Sequence, residues 1–146
     1  MSAINEWFGG YCCMFRYIGR TYGEQELHRY FTYLAQTAYD DVTPGYRAGG
    51  LPAIAARYEK NFLADGGEEA IRTKLTEQKL TMQVHCPAFY NSPEPIDADR
   101  RCDEFFCDCC RELNGKILAE AGYDLDIGME HCGDCCWTIT KKETEQ

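Results

Sequence analysis

The amino-acid sequence predicts an α+β fold, with N-terminal helices followed by a small, mainly antiparallel sheet into which one cysteine-bearing helix is inserted. Three observations carry this expectation. Apolar residues recur at spacings of three and four up to about Leu63. Beyond Gly67 two stretches alternate apolar and polar residues, as half-buried strands do, and between them one segment returns to the helical period. A chain of 146 residues suits one domain with its own core. It divides into a helical half over 1–67 and a cysteine-rich α+β half over 68–142.

Ile4 opens the first predicted helix, whose apolar positions are Trp7, Tyr11, Met14, Tyr17 and Ile18. Cys12 and Cys13 within it read as buried packing rather than ligands. A second helix is expected from Gln25 to Tyr39. Thr43-Pro44-Gly45 and Ala48-Gly49-Gly50 punctuate the chain, and Leu51-Pro52 opens a third helix that ends near Asp65-Gly66-Gly67. The aromatic residues of these helices read as core and interface material rather than a cofactor box. Leu80, Met82, Val84 and Cys86 then alternate along a strand, and Ala70 to Leu75 forms either a partner strand or a short helix. A loop marked by Pro87, Pro93 and Pro95 leads to a helix from Arg101 to Ala121 that buries Phe106, Cys110, Leu113 and Ile117, and Gly122 ends it. Tyr123, Leu125, Ile127 and Met129 alternate again, a turn carries Cys132-Gly133-Asp134-Cys135, and Trp137 with Ile139 marks a returning strand. The tail from Lys141 is polar.

Charge narrows the class of partner. With 24 acidic and 15 basic side chains the formal charge is -9, which repels phosphate backbones, so nucleic acid is not expected as a partner. The segment MSAINEWFGGYCCMF has no basic region and no uninterrupted apolar core. No stretch approaches the roughly 20 apolar residues that span a bilayer. The expectation is a cytoplasmic protein without membrane contact. In that reducing compartment ten cysteines are thiols, and eight of them fall between Cys86 and Cys136. Such clustering points to metal binding or redox chemistry rather than to structural disulfides.

If strand, helix and strand follow one another, the helix packs back over the sheet and the next strand runs parallel to the one ending at Cys86. Three groups then meet at one edge: His85 and Cys86, then Cys107, Cys109 and Cys110, then His131, Cys132 and Cys135. Cys107-x-x-Cys110 and Cys132-x-x-Cys135 each present two sulfurs to one ion, which makes Cys107, Cys110, Cys132 and Cys135 the expected metal ligands. Cys109, Cys136 and His131 offer competing registers as cofactor-binding residues. Thiolates hold zinc tetrahedrally at about 2.3 Å or carry an iron–sulfur cluster, and both remain open. A Cys/His neighbour pair also serves as an activated thiolate with its base, which nominates Cys86 and His85 as catalytic. Asp103, Glu104, Asp108 and Glu112 read as the solvated side of a helix, Asp124 and Asp126 as outward strand positions. Three scattered histidines do not argue a triad.

Val84-His85-Cys86-Pro87, then Phe106-Cys107-x-Cys109-Cys110 about twenty residues later, then Gly133-Asp134-Cys135-Cys136-Trp137-Thr138-Ile139 resemble the L-2-amino-thiazoline-4-carboxylate hydrolase family. The layout is also similar to that of 4-vinyl reductase domains. The resemblance covers about the C-terminal sixty residues. Cys86, Cys107 or Cys110, and Cys136 fall on the family's cysteine positions and Gly133 on its glycine. The additional cysteines depart from the pattern. The resemblance implies a 4-vinyl-reductase-like fold and hydrolytic opening of a cyclic C=N–S unit in a small carboxylate, with Cys86 catalytic or facing the substrate. Two other classes remain open: a zinc or iron–sulfur domain that binds a small molecule or senses redox state without turnover, and a structural zinc module presenting its aromatic helices to a partner chain. Those helices also suit a homodimer.

Overall fold

The computed structural model describes residues 3–86, 104–131 and 133–144. Helices α1 (Ala3–Tyr22), α2 (Glu24–Thr37) and α3 (Val42–Gly66) precede strands β1 (Ile71–Leu75) and β2 (Lys79–His85). Helix α4 (Glu104–Glu120) and strands β3 (Tyr123–His131) and β4 (Asp134–Lys141) follow. The chain is thus α+β, helices first and then a four-stranded antiparallel sheet, as the change of hydrophobic period predicts.

Local chemistry sets the boundaries. Gly23, at φ 95°, turns the chain between α1 and α2 in a conformation that disfavours any side chain. Thr43-Pro44-Gly45 does not interrupt the chain as expected. Pro44 sits in the first turn of α3, where its missing N–H forfeits no intrahelical bond. The break falls at Gly50 instead, at φ 64° and ψ -157°, and Leu51-Pro52 restarts the helix as the sequence predicts. Ala70 to Leu75 takes its strand alternative: Ile71 pairs with Val84 and Leu75 with Leu80. The predicted start of α4 at Arg101 lies outside the described residues.

The strand order is β1-β2-β4-β3 and every pairing is antiparallel. Because β4 is antiparallel to both neighbours, β2 and β3 run in the same direction, and α4 crosses over between them. Helices α3 and α4 cover the inner face of the sheet, while α1 and α2 pack on the far side of α4. The main core joins Leu80, Met82, Val84, Trp137 and Ile139 of the strands to Ile54, Tyr58, Ile117 and Leu118 of the helices. Each fully buried aliphatic side chain there contributes about 1.5–3 kcal/mol. A second cluster of Phe15, Leu27, Phe31 and Cys109 holds α1 and α2 to α4. Helix α4 is therefore covered on two sides. Its most deeply buried residues are Cys109, Ile117 and Leu118, while Phe106, Cys110 and Leu113 are half-buried. The outer face of the sheet is polar. Among the described residues no helix is long and apolar enough to cross a membrane.

Candidate functional site

Period-two alternation sorts the cysteines and histidines of the sheet onto two faces. His85 is exposed on the outer face, where its Nδ1 pairs with Asp134 Oδ1. A carboxylate only accepts, so Nδ1 carries the proton and Nε2 is left as the basic nitrogen. Strand register places Asp134 directly opposite His85 and Cys136 opposite Gln83. His85 and Cys136 are therefore diagonal neighbours on one face, about 7–8 Å apart along the backbone. Both line a groove of about 320 Å³ together with Glu69, Arg72, Gln83 and Asp134.

Across that groove the pairings Arg72 with Gln83, Gln83 with Cys136 and Cys136 with Gly128 make a straight row over four strands. A Cβ at Gly128 would meet nothing within 4 Å, so this glycine leaves open space beside the Cys136 thiol. The groove thus combines a sulfur nucleophile, an oriented imidazole, an amide donor and a guanidinium. Three carboxylates, Glu69, Glu130 and Asp134, stand in the same groove beside the single Arg72 guanidinium.

The inner face gathers a different group. The Cys86 N–H donates to the Gly133 carbonyl at 2.8 Å, which sets Cys86 diagonally from Cys135 on the side facing α4. Helix α4 brings Cys107 and Cys110, one turn apart, toward the same place. Burial first, and then Cys110, Cys135, Cys107 and Asp134, push the Cys86 thiol up to about 12. Burial followed by Cys107 and Cys135 pushes Cys110 up to about 12 against the opposing Asn114 hydrogen bond. Cys135 is raised too, by burial and then Cys107, while Arg111 and the Trp137 indole N–H favour its thiolate. Asn114 is tied in from both sides: its Nδ2 donates to the Cys110 carbonyl at 2.8 Å and to Cys110 Sγ at 3.4 Å, and it accepts from the Tyr58 hydroxyl at 2.8 Å.

Set against the sequence reading, three of the four expected metal ligands, Cys107, Cys110 and Cys135, come together, and Cys86 joins them. Cys132 lies outside the described residues, and so does the side chain of His131. Cys109 turns the other way, into the cluster with Phe15 and Phe31, where burial and then Glu112 push it up to about 12. Cys136 faces the outer groove, whose lining also includes Cys135. Cys86 lies just past the end of β2, and the imidazole of its neighbour His85 pairs with Asp134 in the groove that Cys136 lines. No three or more histidine, cysteine, aspartate or glutamate side chains among the described residues are placed to hold a metal ion.

Sequence reasoning missed Asp134, Arg72, Gln83 and Gly128. Each acquires its meaning from register across strands, which a sequence pattern does not fix. Asn114 was closer to reach, since it stands four residues after Cys110 on one helix face. Comparison with family models, with curated proteins and with solved structures finds no match.

Proposed function

We propose that this protein is a thiol hydrolase that opens a cyclic N=C–S unit in a small carboxylate such as a thiazoline carboxylate, with its active centre on the outer face of the sheet. The observation that carries the reading is the His85–Asp134 pair lying in one groove with the Cys136 thiol. The sequence resemblance to the thiazoline-carboxylate hydrolases supports the choice of substrate.

Asp134 holds His85 in the tautomer whose Nε2 accepts a proton. His85 takes the proton of Cys136, and the sulfur adds to the carbon of the C=N bond. The ring C–S bond then breaks and its sulfur leaves as a thiol, carrying the proton that His85 returns. Water deprotonated by the same imidazole attacks the carbon still joined to Cys136, releases the cysteine and leaves the product, so one water is consumed per turnover. Arg72 anchors the carboxylate, and the Gln83 amide stands beside the carbon where charge develops.

The test is turnover of 2-aminothiazoline-4-carboxylate by the reduced protein, followed by the mass of the ring-opened product. Cys136→Ser and His85→Gln abolish it, while Cys86→Ser retains it. Loss in Cys86→Ser with activity kept in Cys136→Ser transfers the centre to the inner thiols. Absence of turnover by the unaltered chain overturns the substrate assignment.

A further inference from the structure

An open cleft of about 570 Å³ lies where the helical turn that restarts α3 at Leu51 meets the turn between β1 and β2 and the first residue of β3. Strand register sets it at the end of the sheet remote from the His85 groove: Tyr123 pairs with Lys141 at one end of the β3–β4 ladder, and His131 with Asp134 at the other. Leu51, Pro52 and Leu75 give the cleft apolar walls, and Tyr123, Lys141 and Glu77 bring it polar groups. Thr76 also lines it, but its hydroxyl already exchanges hydrogen bonds of 3.1 Å with the backbone of Lys79.

Two independent observations point to an anion. Tyr123 is 6 % exposed, yet its hydroxyl makes no hydrogen bond among the described residues, whereas buried tyrosine hydroxyls ordinarily find a partner. That hydroxyl stands 3.7 Å from the position a Cβ on Gly50 would take, beside the restart of α3. Gly50 offers no side chain to cap this turn, and the first N–H groups of a helix, here those of Leu51 and Ala53, have no intrahelical acceptor. The helix runs on to Gly66, so the positive end of its dipole stands in the wall of the cleft. Lys141 is directly opposite Tyr123 across the strands, which puts both side chains on one face, and its ammonium is in no ion pair among the described residues.

We propose that this cleft binds a small molecule carrying one carboxylate on an apolar body, its carboxylate accepting from the Tyr123 hydroxyl and the N–H groups of the Leu51 turn, close to Lys141. A carboxylate fits better than a phosphate, because the cleft supplies one cation and also holds Glu77, which repels a doubly charged group. Leu51, Pro52 and Leu75 receive the body of the ligand. Leu75 is 44 % exposed, so an apolar ligand removes it from water. The cleft shares no residue with the outer groove and stands whether or not the hydrolase reading does.

The experiment titrates the reduced full chain with octanoate and follows its backbone amides by nuclear magnetic resonance, with 1-octanol and octyl phosphate as probes of the same body. The expected result is saturable binding of one octanoate per chain, with the largest shifts at Gly50, Leu51, Ala53 and Tyr123, and weaker binding of both other probes. Tyr123→Phe should weaken octanoate binding by about 10–100-fold without lowering the melting temperature, because the hydroxyl has no partner to lose in the free protein. A hydroxyl that served only the fold would lower the melt and leave the affinity unchanged, and that result overturns the proposal. Lys141→Gln should weaken binding by about 2–5-fold and flatten its dependence on salt. No saturable binding, 1-octanol binding as tightly as octanoate, tighter binding of octyl phosphate, or amide shifts confined to the outer groove each overturns it as well.

Discussion

Replacing Asp134 by Asn removes the charge opposite His85 while keeping nearly the same shape. An amide that donates toward Nδ1 selects the tautomer whose proton sits on Nε2, the wrong one for accepting the Cys136 proton. Turnover by Asp134→Asn should fall by about 10²–10⁴-fold with an unchanged melting temperature. Steady-state rates and a thermal melt check both halves of that statement. Gly128→Val asks a complementary question. A β-branched residue suits a strand and meets no neighbour here, yet it covers the thiol across the row. The fold should hold while alkylation of Cys136 slows. Tyr58→Phe acts on the inner side: it leaves Asn114 Oδ1 without its donor in a buried setting, at a cost of about 1–3 kcal/mol in chemical denaturation.

Among the elements, α3 has the most demanding backbone. Gly50 adopts φ 64° with ψ -157°, a region only glycine enters readily, and a Cβ at Gly49 would stand 2.4 Å from that of Ala53. Gly50→Ala should therefore cost about 1–3 kcal/mol, measured by denaturant unfolding. The Gly49-Gly50 break was legible in the sequence because glycine has a strong local meaning. The strands were legible for a similar reason, since Leu80, Met82 and Val84 alternate within one window. Pro44 shows the limit of such signals: the residue that breaks a helix interior opens a helix at its first turn, and the choice depends on what precedes it. The site was legible as chemistry but only partly as geometry. Cys-x-x-Cys spacing located the inner thiols, whereas the partner of His85 followed from how β2 and β4 register.

At the scale of the whole molecule, the buried thiols make stability depend on pH. Cys86, Cys109 and Cys110 are each pushed from 9.0 up to about 12 in the folded chain. The unfolded chain therefore releases these protons at lower pH than the folded one. Their contribution is fully present below about pH 9 and is lost as pH climbs toward 12. Denaturant midpoints of the reduced protein should fall across that window.

The position of β4 has a consequence for how the protein is made. It follows β3 in the chain yet lies between β2 and β3, with Lys79 paired to Thr140 and Tyr123 to Lys141. Neither ladder can close until residue 141 has left the ribosome, which emits about 5–20 residues per second. During that interval β2 has only β1 beside it, β3 has no neighbour, and the inner cysteines stand uncovered on the nascent chain. Closing pairs so distant in sequence is slow. Until β4 docks, no finished sheet covers those thiols, so oxidation competes with closure of the ladders.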